Sequence, residues 1–483
     1  MRSHLPPQEW RGAGPADVDA SDSGYHDGTE GSILASELMI SVAGARGVVG
    51  ETLTPPVVTR LATAFAGVLG EGRVVVGRDA RPSGGLVYHA LAAGLLGVGR
   101  EVVDIGLATT PTTQIAVEHL RAAGGVIITA SHNPAPWNAL KFLSPLGEFL
   151  ASGEQARVRE RFERGEERWE RFDRLGAERV ESRALDWHLE RVLSLGCLDT
   201  VAIRRRALRV AVDGCASVGG IAVPALLRAL GVAVIPIDCE PTGRFTRELE
   251  PLPEHLGALG EQVRASGADF GVALDPDADR AAFVDQEGVA VGEEYTVALG
   301  ASAVLAQTPG PVVTNLSTSR IVEAVCERYG VPLHRSAVGE AHVVAEMRRR
   351  GAVAGGEGNG GMILPAAHYG RDALVAVALV AHLVATRGLA LSGLVGELPR
   401  YRMLKEKMAR PDMPWARVAE RLRAAFRDHE LDQVDGMRFS RDEEWLHVRL
   451  SGTEPVVRLI AESPSEQRSR ALIEGARRAL RPE

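Results

Sequence analysis

One structural unit occurs three times between residues 37 and 399, and this repeat limits the possible folds more than any other feature of the chain. Each copy has an apolar strand, a polar turn, an apolar helix, a break such as Gly-Val and a second apolar strand. The first strands with their turns span residues 74–79, 210–214 and 312–315, and the second strands span 101–105, 233–237 and 332–336. Alternation of short strands and amphipathic helices is typical of β-α-β units. Because such units form parallel or mixed sheets covered by helices, the sequence predicts three related α/β/α domains.

The composition fits a globular protein of several domains. Of 483 residues, 45% are hydrophobic and 24% charged, so the chain can bury large cores in about three or four domains. The net charge of -8 argues against a general nucleic-acid binder, which usually has a basic face. The longest apolar stretch, residues 373–386, contains His382 and is too short to span a bilayer. We therefore expect a buried helix there, and neither a nucleic-acid nor a membrane partner.

The cysteines and the first residues indicate where such a chain works. Four cysteines lie far apart, with no CxxC spacing for zinc and no dense disulfide framework: Cys197, Cys215, Cys239 and Cys326. Residues 1–36 lack an apolar signal core and are rich in Gly, Ser, Asp and Pro. We expect a cytoplasmic location, and we expect residues 1–36 to form a disordered tail.

The pattern changes after residue 399. A helix at 415–429, strands at 445–449 and 456–461, and a final helix at 465–480 predict a smaller α+β domain. Earlier in the chain, residues 157–174 are dense in Arg and Glu. They predict a solvated amphipathic helix at the edge of the first domain rather than a binding helix.

Three aspartates alternate in the segment 275–280, called here the metal loop. Asp275, Asp277 and Asp279 lie between two apolar runs, so they occupy a tight loop between two strands. Carboxylates at this spacing converge on one hard cation, and Mg²⁺ fits best because it takes oxygen ligands and leaves positions open for phosphate. An EF-hand is excluded because Arg280 stands where that motif needs Gly. A charged hairpin tip is the alternative, but it leaves the repulsion between the acids unrelieved.

The segment 129–134, called here the serine loop, follows the apolar strand 125–128. It presents the Ser131 hydroxyl at a strand end, where α/β sheets place their ligands. A serine hydroxyl needs activation, and His132 and Lys141 are near enough in sequence to handle protons and charge. Taken alone, the segment fits an Asn-Pro turn with a serine cap better than a nucleophile.

Two more polar loops complete the set. The sugar loop, residues 356–360, opens a GxGxxG match, but a strand-like run follows instead of a helix, so dinucleotide binding is not supported. Glu357 and Asn359 are better suited to sugar hydroxyls, with a plain flexible turn as the alternative. The phosphate loop, residues 449–455, places Ser451 and Thr453 between two strands as a donor-rich nest for an anion. Arg449 and Arg458 can add charge-assisted hydrogen bonds.

In this order the four loops resemble those of the α-D-phosphohexomutase superfamily, which includes phosphoglucomutases, phosphomannomutases and phosphoglucosamine mutases. The resemblance covers residues 37–480, and further similar segments lie at 43–47, 76–84 and 110–112. The forms of the sugar and phosphate loops are most similar to prokaryotic phosphoglucosamine mutases. The resemblance implies four domains around a central cleft, with one loop in each: 37–190 with the serine loop, 191–297 with the metal loop, 298–399 with the sugar loop and 400–483 with the phosphate loop.

The resemblance also implies a reaction and its residues. Ser131 would carry a phosphoryl group and, with Asp275, Asp277 and Asp279, hold Mg²⁺. The group would pass to a hexose phosphate and return from a 1,6-bisphosphate, which also acts as activator, so that phosphate moves between C6 and C1. Arg46, His132, Lys141 and Arg280 would neutralise charge and assist proton transfer. Substrate binding would use Glu340, Glu357, Asn359, Arg449, Ser451, Gly452, Thr453 and Arg458.

Some positions depart from the family pattern. Ala139 replaces a Gly after the serine loop, although Lys141 still matches, and Asn359 stands where the family usually has Ser. Glu340 occupies a position that differs among sugar classes, where an acidic side chain favours the ammonium group of an amino sugar. The alternative for Glu340 is a solvated surface side chain.

We therefore expect conversion of glucosamine 6-phosphate to glucosamine 1-phosphate by a monomer or homodimer. A phosphomannomutase or phosphoglucomutase is the alternative. Two remote alternatives are a phosphatase that uses Asp275 as its nucleophile, which Asp279 disfavours, and a non-catalytic sugar-phosphate binder, which the retained Ser131 and aspartates disfavour.

Overall fold

Four β-sheets organise the part of the chain that the structure, a computed structural model, describes: residues 38–41, 44–451 and 456–481. The first three sheets mix parallel and antiparallel strands, and the fourth is antiparallel throughout. This arrangement confirms the predicted fold class of three α/β/α domains with mixed sheets and a smaller C-terminal α+β domain. The predicted tail at 1–36 lies outside the described residues. The predicted domain limits at 190, 297 and 399 stay predictions.

The first sheet has seven strands in the order β1-β2-β6-β5-β3-β4-β7. Its strands are β1 (Met39–Ser41), β2 (Gly44–Val48), β3 (Val74–Arg78), β4 (Val102–Leu107), β5 (Gly124–Ile128), β6 (Trp137–Leu143) and β7 (Glu178–Val180). Its helices are α1 (Pro55–Ala66), α2 (Gly84–Gly97), α3 (Thr110–His119), α4 (Ser152–Arg164) and α5 (Ala184–Leu193). Strand β6 pairs with both β5 and β2, so it carries Lys141 beside the serine loop that leaves β5.

The sequence predicted one helix over the Arg- and Glu-rich stretch 157–174, and this prediction is wrong in its length. Helix α4 ends at Arg164 because Gly165 takes the left-handed conformation, with φ of 62°. The chain then crosses back over α2, where Trp169 lies directly against Gly97, and a short 3₁₀ turn follows at Phe172–Arg174. The helix is amphipathic and mostly exposed, as predicted, but it is shorter by ten residues at its C-terminal end.

The second and third sheets have the orders β11-β10-β8-β9 and β13-β12-β14-β15. The second contains β8 (Arg209–Asp213), β9 (Ala233–Ile237), β10 (Phe270–Leu274) and β11 (Ala281–Val284), with α6 (Thr200–Arg206), α7 (Gly219–Ala229) and α8 (Gly257–Ser266). The third contains β12 (Val312–Asn315), β13 (Leu333–Ser336), β14 (Ala354–Glu357) and β15 (Gly361–Ile363), with α9 (Glu294–Leu305), α10 (Ile321–Tyr329), α11 (Glu340–Arg350), α12 (Ala373–Arg387) and α13 (Leu391–Gly396).

Helix α12 is the long apolar stretch of the sequence, and it is buried as predicted. Every side chain from Ala373 to Val384 is buried, in one hydrophobic core that also contains residues of the second and third sheets. A helix that is apolar on all faces needs such a location. The helix therefore holds these two domains together at the base of the metal and sugar loops.

The fourth sheet has the order β16-β20-β19-β18-β17. It contains β16 (Arg402–Ala409), β17 (Glu430–Asp432), β18 (Met437–Arg441), β19 (Glu444–Leu450) and β20 (Val456–Ser463), with α14 (Trp415–Ala425) and α15 (Glu466–Leu480). Helix α14 ends four residues before the predicted limit of 429. Ser465 caps α15 by accepting a hydrogen bond from the Arg468 amide.

Candidate active site

One cavity brings together half of the residues that the sequence singled out. It is lined by these side chains from that set: Arg46, Ser131, His132, Lys141, Arg280, Glu340, Glu357 and Asn359. The three aspartates of the metal loop are fully buried beside it. Each loop reaches the cavity from a strand end: the serine loop follows β5, the metal loop joins β10 to β11, and the sugar loop joins β14 to β15. The chain thus converges from three sheets on one polar site.

A buried arginine, Arg81, shapes the serine loop. Its guanidinium donates to the carbonyl oxygens of Ser131 and Asn133, both at 2.6 Å, and of Pro134 at 2.9 Å. Asp79 orients this guanidinium from 3.2 Å. Ser131 takes a left-handed conformation with φ of 50°, which costs energy for a residue other than glycine. The arginine therefore holds the serine backbone in a conformation that the loop alone does not favour.

The Ser131 hydroxyl points at the metal loop. Its Oγ lies 3.2 Å from Asp275 Oδ2 and 3.0 Å from Arg280 Nη2. His132 is the third neighbour, with Nδ1 at 3.5 Å from Oγ. A phosphoryl group on this oxygen would therefore meet a guanidinium and the carboxylate cluster at once.

In the metal loop, one carboxylate oxygen of Asp277 and one of Asp279 accept hydrogen bonds, and Arg280 Nε lies 3.5 Å from the other oxygen of Asp279. Asp277 Oδ2 accepts hydrogen bonds from Lys141 Nζ and Thr110 Oγ1, both at 2.7 Å, and Asp279 Oδ2 accepts one from Arg371 Nη2 at 2.6 Å. The Oδ1 atoms of Asp277 and Asp279 are buried without a hydrogen-bond partner among the described residues. Such atoms are costly unless something else ligates them.

The carboxylates of the metal loop are strongly perturbed. Burial raises the pKa of Asp275 well above its usual range, and the nearby charge of Asp279 adds to this. Burial alone would also raise the pKa of Asp277, but the charge and hydrogen bond of Lys141 bring it below its ordinary value. One oxygen of each of the three aspartates lies within 4.8 Å of the others. Three converging carboxylates with orphaned oxygens form a donor set that fits a divalent cation of the Mg²⁺ type.

His132 and Arg46 stand on the cavity wall. Burial, followed by the charge of Arg280, lowers the pKa of His132 to about 3, so the ring is neutral. Its Nδ1 accepts a hydrogen bond from Arg280 Nη2 at 2.8 Å. Arg46 donates to Asn133 Oδ1 at 3.2 Å, and its pKa is lowered by burial and by the charge of Arg458. Arg458, on β20, is thus close enough to Arg46 for their charges to interact, although it does not line the cavity.

The sugar loop presents Glu357 in a fixed orientation. Its Oε1 accepts hydrogen bonds from Asn315 Nδ2 at 2.7 Å and from the Gly339 amide at 2.9 Å. Glu340, the first residue of α11, is 6% exposed, which excludes the solvated surface side chain that was the alternative for it. Its Oε1 accepts a hydrogen bond from Gln114 Nε2 at 3.3 Å. Burial raises the pKa of Glu340, against the opposing charge of Arg371.

Arg371 is the main residue that sequence reasoning missed. It lines the cavity and pairs with Asp279, Glu340 and Glu357 at 2.6, 2.8 and 3.0 Å. In the sequence it is a single arginine in the loop before an apolar helix, outside every recognised motif. The only signal was a lone charge next to a helix cap, Asp372, at the edge of a buried segment.

The phosphate loop is described only at its ends. Gly452 and Thr453 lie outside the described residues, and Arg449, Ser451 and Arg458 do not line the cavity. Arg449 Nε lies 3.2 Å from Asp435 Oδ2, and the same oxygen accepts a hydrogen bond from the Val338 amide at 3.0 Å. Asp435 therefore connects the arginine of the phosphate loop to the segment that leads into Glu340.

Fold and site together define an α/β enzyme that handles phosphate on a small polar substrate. Four family models match the chain: phosphoglucomutase/phosphomannomutase alpha/beta/alpha domains I, II and III at residues 38–169, 186–288 and 292–401, and the C-terminal domain at 403–479. The chain belongs to the phosphoglucomutase/phosphomannomutase family, the α-D-phosphohexomutases, and is a phosphohexomutase. Enzymes of this family act on hexose phosphates, and the aspartate cluster fits the family's Mg²⁺ site.

Similar proteins agree on the family and differ in their names. A probable phosphoglucosamine mutase of Methanopyrus kandleri is 39% identical, over 89% of this chain and 95% of its own. A phosphoglucomutase/phosphomannomutase of Thermococcus kodakarensis is 37% identical, over 89% and 96%. The crystal structure of a phosphoglucomutase/phosphomannomutase family protein from Burkholderia thailandensis has a TM-score of 0.79 at 26% identity, over 92% and 98%. No helix in the described part of the chain is long and apolar enough to cross a membrane.

Proposed function

We propose that the chain interconverts glucosamine 6-phosphate and glucosamine 1-phosphate, with a phosphorylated Ser131 and a bound 1,6-bisphosphate as intermediates. The observation that carries the proposal is the position of the Ser131 hydroxyl. It lies 3.0 Å from Arg280 and 3.2 Å from Asp275, at the wall of a cavity that Glu340 and Glu357 also line. A phosphoryl donor and a group of sugar-binding carboxylates thus face the same space.

In the first transfer, a hydroxyl oxygen of the bound sugar phosphate attacks the phosphorus of phosphorylated Ser131, and the bond from phosphorus to Oγ breaks. Arg280, 3.0 Å from Oγ, stabilises the negative charge that develops there. Lys141 is held charged against Asp277, and Arg46 adds a second guanidinium on the same wall. The lowered pKa of His132 makes its neutral ring a weak base, so we place it in the polar network around Ser131 Oγ rather than in proton transfer. The released Ser131 oxygen takes the proton of the attacking hydroxyl. Asp275, Asp277 and Asp279, together with the Ser131 phosphate, would hold Mg²⁺, which would supply positive charge against the transferring group.

The second transfer needs the same sugar in the opposite orientation. Glu357 and Asn359 would bind ring hydroxyls in either orientation, because carboxylate and amide groups accept hydrogen bonds from any of them. The phosphate that is not reacting would be held by the predicted set of Arg449, Ser451, Gly452, Thr453 and Arg458. Ser131 then recovers a phosphoryl group from the other oxygen. Added hexose 1,6-bisphosphate would rephosphorylate a serine that has lost its group, which is why we expect it to activate.

Ser131→Ala tests the reaction. We expect a fraction of the purified protein to be one phosphoryl group heavier by intact mass, and we expect the variant to lack that species. Mutase activity should fall by at least about 10⁴-fold, because both transfers need this oxygen. Full activity of the variant in the presence of a trace of bisphosphate would show that the nucleophile is another residue.

The amino sugar is favoured by Glu340. This carboxylate is buried at the cavity, which Glu357 and Asn359, the predicted sugar-binding residues, also line. An ammonium group of a bound sugar would gain a charge-assisted hydrogen bond there. The name of the Methanopyrus kandleri relative supports the same substrate. Phosphomannomutase or phosphoglucomutase activity is the second candidate, because both Glu340 oxygens already have partners in Arg371 and Gln114.

The variant Glu340→Gln distinguishes between the two candidate activities. Values of kcat/KM for glucosamine 6-phosphate, glucose 6-phosphate and mannose 6-phosphate should be compared in both proteins, with Mg²⁺ and bisphosphate present. We expect the wild type to prefer the amino sugar and the variant to lose about tenfold on it alone, since one charge-assisted bond is worth about 1.5 kcal/mol more than a neutral one. A wild type that strongly prefers glucose or mannose would contradict the amino-sugar assignment while leaving the mutase reaction intact.

A further inference from the structure

The guanidinium of Arg371 is shared by three carboxylates that come from three segments of the chain. Nε lies 2.8 Å from Glu340 Oε2, Nη1 lies 3.0 Å from Glu357 Oε2, and Nη2 lies 2.6 Å from Asp279 Oδ2. We propose that Arg371 is a positioning residue that couples cation binding at the metal loop to sugar binding at Glu340 and Glu357. This inference rests on the proposed function and adds a residue and a linkage to it.

On the metal side, Arg371 fixes which oxygen of Asp279 remains for a cation. Oδ2 is held by the arginine, and Oδ1 is buried without a hydrogen-bond partner in the described part of the chain. A cation bound through Oδ1, which also lies 3.5 Å from Arg280 Nε, would restrain the position and tilt of the whole carboxylate. Because the hydrogen bond to Oδ2 is short and the guanidinium is planar and rigid, Arg371 must follow that tilt.

On the sugar side, the planar guanidinium of Arg371 holds the carboxylates of both Glu340 and Glu357. Glu357 has further partners in Asn315 and the Gly339 amide, and Glu340 has one in Gln114. Arg371 is the group that these carboxylates share with the metal loop. A shift of its plane therefore changes the two carboxylates together, and a sugar bound to them restrains Arg371 in return.

The surroundings of Arg371 are built to hold this one side chain. A Cβ atom added at Gly361 would lie 2.3 Å from Arg371 Cδ, so any side chain at that position collides with the arginine stem. The arginine side chain is 13% exposed, and the three carboxylates are buried. Without the guanidinium, three buried like charges would face one another, which is strongly unfavourable.

Arg371→Lys tests the coupling, because an ammonium keeps the charge but cannot bind three carboxylates in one plane. Mn²⁺ replaces Mg²⁺ at oxygen sites, and its binding can be followed by electron paramagnetic resonance. It would be titrated with and without saturating 1-deoxyglucosamine 6-phosphate, which has no C1 hydroxyl to accept a phosphoryl group. In the wild type we expect this ligand to tighten Mn²⁺ about tenfold, within the usual range of coupling between sites. In Arg371→Lys the factor should fall below two.

Two further variants complete the test. Arg348→Lys is the matched control: Arg348 pairs with Glu148 and stacks on Tyr369, and it has no contact with the three carboxylates. It should retain the tenfold factor. Glu357→Gln keeps the pair between Arg371 and Asp279 but weakens the link to the sugar, so it should bind Mn²⁺ alone normally and lose the coupling. This variant decides the question if Arg371→Lys does not fold.

The outcomes are distinct. A coupling factor near one in the wild type, a factor of ten retained in Arg371→Lys or in Glu357→Gln, or an equal loss in Arg348→Lys would each overturn the inference. If the wild type binds Mn²⁺ but not the sugar phosphate at any concentration, the proposed function itself fails. Mutase activity with Ser131 phosphorylation and no metal linkage would leave the proposed function standing and remove the coupling alone.

Discussion

At the scale of single residues, the site depends on buried, positively charged side chains with fixed hydrogen bonds. Arg81 binds carbonyl oxygens of the serine loop, Lys141 binds Asp277, and Arg371 binds three carboxylates. In each case a positively charged side chain with fixed hydrogen bonds orients groups that must face the substrate. Such arrangements are costly to break, because removing one partner leaves buried polar atoms unpaired.

The variant Arg81→Lys measures the cost of leaving polar atoms of the serine loop without hydrogen-bond partners. One ammonium cannot reach the carbonyls of Ser131, Asn133 and Pro134 together, so at least two partly buried acceptors lose their donors. We expect the free energy of unfolding to fall by about 3 kcal/mol and kcat to fall about 10²-fold, since the Ser131 oxygen is no longer held in line. KM should change less than threefold. Urea unfolding and steady-state kinetics check both expectations.

Arg78→Lys is the control for this change. Arg78 stands three residues earlier, pairs with Asp104 at 2.9 Å and stacks on Tyr88, without touching the serine loop. It should lose stability without a comparable loss of kcat. Equal losses of kcat in both variants would mean that Arg81 acts through the general stability of the first sheet rather than through the serine loop.

At the scale of elements, the sequence predicted what local periodicity determines. The strand and helix repeats, the buried α12 and the positions of the serine and metal loops at strand ends all follow from short segments. Strand β6 was not predicted, because its pairing with β5 and β2 depends on distant partners. The end of α4 was missed because Gly165 outweighs the charged pattern that continues beyond it. Arg371 was missed because its role exists only once Asp279, Glu340 and Glu357 meet.

At the scale of the whole molecule, the fourth domain meets the third through several polar contacts, including pairs of Lys405 with Glu293 and Glu294 and a small junction around His447. His447 Nδ1 lies 2.9 Å from Ser317 Oγ, and its Nε2 lies 2.6 Å from the carbonyl oxygen of Asp435. The Asp435 carboxylate contacts the Val338 amide and Arg449. This junction sets the distance between the predicted phosphate loop and the cavity, so the grip on the distal phosphate depends on how the two sheets meet.

Asp435→Ala should therefore weaken substrate binding more than chemistry. Without the carboxylate, Arg449 loses its orienting partner and the Val338 amide loses its acceptor, while the serine and metal loops are untouched. We expect KM for the hexose phosphate to rise about tenfold with kcat changed less than threefold, the pattern for an interaction made equally in ground and transition states. Asp432→Ala is the control, because Asp432 contacts only the nearby Val434 amide among the hydrogen bonds of the described chain. A fall in kcat at unchanged KM in Asp435→Ala would instead place this junction in the chemical step, and the distal phosphate would have to be held elsewhere.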